Sequence, residues 1–140
     1  MDATPTPRWE FRLRSFTSEV SWLTEAVELR AARGLSDLEK AGMIKRFEIA
    51  WEQGWKLLAD VLFAELTPPN PVTSASSIRG AFAAGIIDDG DAWMAASKLR
   101  HSLTHTYDQA IRDAGLEAIA ERFLPLFIQL RDSTAARLHA

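Results

Sequence analysis

The stretch Met43-Ile44-Lys45-Arg46-Phe47-Glu48-Ile49-Ala50-Trp51-Glu52-Gln53-Gly54-Trp55-Lys56-Leu57-Leu58-Ala59-Asp60-Val61-Leu62 decides the fold. Met43, Phe47, Trp51, Trp55, Leu58 and Leu62 recur at three and four residues, so one side of a helix is apolar over many turns. Lys45, Glu48, Glu52, Lys56 and Asp60 fill the other side. The pattern predicts a long amphipathic helix. Thr67-Pro68-Pro69-Asn70-Pro71 ends it, because each proline lacks a backbone donor and restricts the residue before it.

Upstream, Trp9, Leu13, Phe16, Val20, Leu23 and Val27 form a second stripe, which predicts a first helix from about Trp9 to Ala32. Arg33-Gly34 closes it, with Ser36 or Asp37 as cap of the next helix, so the two helices form an antiparallel hairpin. Downstream, Ser74 to Ser77 offer caps for a short helix that carries Ile78 and Phe82 and ends near Gly85. Asp88, Asp89 and Asp91 favour the start of a fourth helix holding Trp93, Met94, Leu99 and Leu103. Leu116, Ile119, Phe123, Leu126 and Leu130 mark a fifth. Pro125 is expected to kink that helix, and Leu124, Phe127 and Ile128 add apolar surface that suggests an oligomer interface. No stretch has a strand pattern. The expectation is an all-α, up-and-down antiparallel bundle of four or five helices, with residues 1–140 as one domain.

Composition narrows the function classes. The 140 residues are 47% apolar, enough for a core without staples, and the absence of cysteine excludes disulfides, thiolate metal sites and cysteine nucleophiles. Neither a leader pattern nor an apolar run of about 18 residues is present, so a soluble, cytoplasmic protein without membrane contact is expected. Sixteen Lys and Arg against 19 Asp and Glu give a net charge of −3, interleaved along the chain. Any contact with RNA must therefore be local.

The densest run of reactive side chains is Arg100-His101-Ser102-Leu103-Thr104-His105-Thr106-Tyr107-Asp108, with two of the three histidines and the one tyrosine. On an ideal helix Arg100 and Tyr107 lie about 20° apart and His105 roughly 140° from Arg100, so one straight helix cannot aim all three together. A deformed helix, or a second copy across a two-fold axis, resolves this. Histidine can take a proton from a ribose 2′-hydroxyl or give one to a leaving oxygen while arginine steadies the phosphoryl charge, which is metal-free RNA cleavage. The plainer reading is a polar face near a helix end. His101 and His105 have the i, i+4 spacing of zinc ligands, but no third ligand stands in an HExxH-type context, so neither a metal nor a cofactor is expected. Tyr107 fits either a core tyrosine or a surface hydroxyl open to modification. Trp51, Trp55 and Trp93 read as packing anchors.

Several segments together resemble the nucleotidyltransferase substrate-binding family of the HEPN superfamily. Arg46-Phe47-Glu48, Trp51 and Trp55-Lys56-Leu57-Leu58 are similar to its second helix, with Gly54 where alanine is usual. Ile78-Arg79-Gly80-Ala81-Phe82, Gly85-Ile86-Ile87-Asp88-Asp89 and Trp93 follow in the family's order, and Arg100 to Tyr107 resembles its RX4HXY signature. The resemblance implies a homodimer that places two motifs in one cleft, and a minimal nucleotidyltransferase as partner. It further implies a toxin–antitoxin pair in which Arg100 and His105 serve metal-independent endoribonuclease activity and the partner adds AMP to Tyr107. His101 stands where asparagine is typical and Leu99 where an acidic residue is frequent. His101 is thus a further catalytic candidate, with Lys98 and Thr104 as candidates for binding substrate in the cleft. The alternative within the same resemblance is a non-catalytic subunit that presents a substrate to the nucleotidyltransferase.

Overall fold

The computed structural model describes residues 7–65 and 68–138, and among them every regular element is helical. Helix α1 (Arg8–Arg33) runs antiparallel to α2 (Asp37–Glu65), followed by α3 (Ser74–Ala83), α4 (Gly90–Thr104), α5 (Gln109–Ala118) and α6 (Leu124–Leu138). A single wide π turn, Ile119–Phe123, joins α5 to α6 without interrupting the rod. Counting that rod once gives the five helices of an all-α bundle.

The local chemistry explains the boundaries. Gly34 has φ 76°, a positive value that only glycine adopts without strain, and its N–H closes α1 on the Arg30 carbonyl at 3.0 Å. Ser36 is the cap of α2. Its hydroxyl accepts from the Glu39 N–H at 3.2 Å, while its own N–H donates to Glu39 Oε1 at 2.9 Å. Arg33 also binds Glu39, and its guanidinium is the first cause holding that carboxyl down to about 2. The cap of α3 is Thr73, one residue before the serines expected for the role. Ser76 sits three residues on and completes a reciprocal pair of hydrogen bonds with it. Asp89 caps α4 by accepting from the Ala92 N–H at 3.0 Å. The proline-rich break holds from Pro68 onward, while Thr67 lies outside the described residues.

The interior is organised around Phe127, which is completely buried. Its ring stacks on Phe47 of α2 at 5.9 Å, meets Phe16 of α1 edge-on at 6.0 Å and lies 5.4 Å from Trp93 of α4. Gly54 permits that arrangement, since a Cβ there would come within 2.8 Å of the Trp93 ring. Trp51 is buried as expected, whereas Trp55 is half-buried at the edge of the core.

The expected apolar surplus on the last helix is not at the surface. Leu124 and Phe127 are buried and Ile128 packs against the core. Phe127 lies on the same three-four stripe as Phe123 and Leu130, and α6 packs against both α1 and α2, which covers the residues beside that stripe. Just before it, the Leu124 N–H reaches back five residues to the Ile119 carbonyl, so one extra residue enters the turn. Pro125, which has no N–H to contribute, follows directly. The last helix therefore gives no support to an oligomer interface. Exposed apolar side chains lie elsewhere, at Phe11, Leu38, Phe63 and Phe82 among others.

Replacing Phe127 with alanine removes contacts to three helices at once and is expected to cost about 3–5 kcal/mol, read as a fall in the urea midpoint at unchanged slope.

Candidate functional site

Helix α4 is fixed to the bundle by Trp93, Ala96 and Leu103, all buried, and it carries the Arg100-to-Tyr107 run on its last turn and just beyond. It stops at Thr104. His105 is its C-cap, with φ −112° and ψ 10° and its N–H on the Ser102 carbonyl at 3.2 Å. The chain then turns through Thr106, whose hydroxyl accepts from the Asp108 N–H at 3.1 Å. Asp108 caps α5 by accepting from the Ile111 N–H, also at 3.1 Å. The ideal-helix angles thus apply to Arg100 but not to His105 or Tyr107, which lie past the helix end.

Two groups result. The Arg100 guanidinium lies over the Trp51 ring of α2, 5.0 Å from its centroid, and reaches Glu52 Oε2 at 3.6 Å. Thr104, one turn on, donates to the Arg100 carbonyl at 2.9 Å and approaches Glu48 Oε1 at 3.4 Å. His101 and His105 form the second group, ring edge to ring face with centroids 4.6 Å apart, both exposed. No hydrogen bond or ion pair joins Arg100 to His105 among the described residues. Lys98 is exposed on the same helix.

Tyr107 stands apart from both groups, 95% exposed, so of the two readings open in the sequence it is the surface hydroxyl. Two donors beside Arg100 are buried without a partner, its own Nε and Trp51 Nε1. Stacking on the indole face and the Glu52 carboxylate attract the guanidinium charge, while the in-plane Trp51 Nε1–H is left without an acceptor.

Sequence reasoning did not assign Glu48, Glu52 and Trp51 to this site. Their signal was present, since Glu48 and Glu52 are one turn apart on α2 and flank Trp51, but nothing in linear spacing told which helix α4 would meet. The carboxylates bring negative charge to Arg100 and Thr104, which makes this end of the bundle less basic than Lys98 and Arg100 alone suggest. Among the described residues no three potential ligands converge on a metal position, and no helix is long and apolar enough to cross a membrane.

The helical bundle is of the HEPN-like fold class. A sequence profile described as nucleotidyltransferase substrate binding protein like matches residues 11–136, and the chain belongs to that family. The fold is shared with a protein from Thermus thermophilus of known crystal structure. The two are 22% identical and superpose with a TM-score of 0.69 over 89% of this chain and 99% of that one. No curated protein matches.

If Arg100 belonged to a buried polar network, its removal would cost about 3–5 kcal/mol. Half-exposed and stacked on Trp51, it is instead expected to lose no more than about 1 kcal/mol in Arg100→Ala, measured by denaturant unfolding.

Proposed function

We propose that this chain is the HEPN subunit of a toxin–antitoxin pair, a metal-independent endoribonuclease silenced when a minimal nucleotidyltransferase transfers AMP to Tyr107. The observation that carries this reading is the 95% exposure of Tyr107 on the turn beyond α4, two residues from His105. A nucleotidyltransferase needs an acceptor hydroxyl that enters its own cleft, and this one projects from the bundle. In the transfer, the tyrosine oxygen attacks the α-phosphorus of ATP, pyrophosphate leaves, and the phenolic proton passes to a base of the partner. The adenylate then adds bulk and negative charge beside His101 and His105, where RNA phosphate would have to approach.

The ribonuclease step needs a base, an acid and a cation around one phosphate. His105 would withdraw the proton of a ribose 2′-hydroxyl, whose oxygen attacks the adjacent phosphorus. The 5′-oxygen then leaves with a proton from a second acid, giving a 2′,3′-cyclic phosphate. Arg100 would hold the phosphoryl oxygens, with His101 in reach of His105 as the second acid and Lys98 and Thr104 along the strand. Arg100 and His105 are not joined within one chain, which favours a homodimer in which the arginine of one copy serves the histidine of the other.

A specific observation favours a second reading, the non-catalytic substrate-binding subunit. Arg100 is engaged by Glu52 and Trp51, and Glu48 stands beside Thr104, so an incoming phosphate must displace a carboxylate. Intact-mass analysis after co-expression with the nucleotidyltransferase and ATP separates the two. The toxin reading expects one added adenylate mapped to Tyr107, together with growth arrest on expression alone that His105→Ala abolishes. A stable complex with unchanged mass and harmless expression would instead assign the passive role.

A further inference from the structure

We propose that His101 and His105 form a two-imidazole binding site for a divalent transition ion of the Ni2+ or Cu2+ type, and that a bound ion acts as a brake by occupying the His105 ring. Geometry is the first argument. A ring centroid stands about 3.2 Å from an ion held by its nitrogen at roughly 2.0–2.1 Å, so two imidazoles at right angles on one ion have centroids about 4.5 Å apart. The two ring centroids here lie 4.6 Å apart, close to that separation, in an edge-to-face contact, so a turn of one ring about its side-chain bonds brings a nitrogen of each toward a shared ion. Right-angle nitrogen pairs are the preference of tetragonal Cu2+ and Ni2+ more than of tetrahedral Zn2+, and imidazole selects all three over Mg2+ and Ca2+.

The surroundings agree. Both histidines are exposed, so water can complete the coordination shell and the rings can turn their nitrogens to one point. They sit on the last turn and the C-cap of α4, where the unpaired carbonyls of the helix end favour a cation. The missing third protein ligand, which argued against a metal from the sequence, is required for a closed zinc site. A chelate completed by solvent does not require it. Ring contact across the helix end is what the sequence spacing could not disclose.

Occupation of His105 would remove the group that the proposed ribonuclease uses as base, so the ion inhibits where catalytic metals activate. This braking half rests on the ribonuclease reading, whereas binding itself does not. The test is a Ni2+ titration of the untagged protein followed by NMR of the three histidine Cε1–H signals, assigned with single His→Asn variants. His101 and His105 are expected to broaden together ahead of His139, with apparent affinity at least ten-fold weaker in His101→Asn. Parallel broadening of all three, or unchanged affinity in that variant, overturns the site. In an RNA-cleavage assay of the wild-type chain, activity should fall at the Ni2+ concentration that loads the pair and return with a chelator. Cleavage that persists with both rings loaded removes the brake. No cleavage by the metal-free protein would remove the ribonuclease reading and the brake with it, while the NMR result still decides the site.

Discussion

The contact of Phe127 with Phe16, Phe47 and Trp93 is the constraint on which the bundle depends. Four helices send one ring each to the same small volume, so none can shift along its axis without opening a void there, and voids in close-packed interiors are costly. The cluster also sets the position of α4. Trp93 reaches its place only because Gly54 lets its ring approach the α2 backbone, and Arg100 to Thr104 are carried on the helix so fixed. Core packing and site geometry are in this sense one arrangement: the indole that anchors α4 to α2 determines that Arg100, two turns further along the same face, meets Trp51 and Glu52.

At the far end of α4 the constraint is released. The helix stops one residue before His105, and the turn to α5 is held by short-range bonds of Thr106 and Asp108, not by burial. A helix interior would fix the relative directions of arginine, histidine and tyrosine. The terminus separates them: Arg100 lies back on α2, His105 turns to His101, and Tyr107 faces solvent. The family to which the chain belongs takes its name from binding, and an exposed hydroxyl on a polar turn suits presentation to another protein better than enclosure of a small molecule.

Much of this was legible in the sequence. The stripe from Met43 to Leu62, the Trp9-to-Val27 stripe and Gly34 located the first hairpin, because three-four periodicity and a positive-φ glycine have few other readings. The order of family-like segments led to the family whose profile matches residues 11–136. What the sequence did not disclose was phase and partnership. Leu124 and Phe127 looked like surplus beside a single stripe, whereas α6 packs against both α1 and α2 and so needs a wider apolar face. The Thr73 cap was displaced by one residue because Ser76 serves equally well as the second member of a reciprocal pair. The pairing of Arg100 with Glu52 joins residues 48 positions apart on two different helices and has no trace in local spacing.

The π turn has a bearing on how this chain can vary. A straight helix transmits angular phase along its whole length, so a rotation at one end is felt at the other. The extra residue between Ala118 and Leu124 acts as a slip joint: α5 takes its phase from α2 and α4, and α6 takes its own from α1 and α2. The half of the rod nearest the turn after α4 can thus change its phase without disturbing the aromatic cluster. A scaffold divided in this way keeps its interior while its working end drifts.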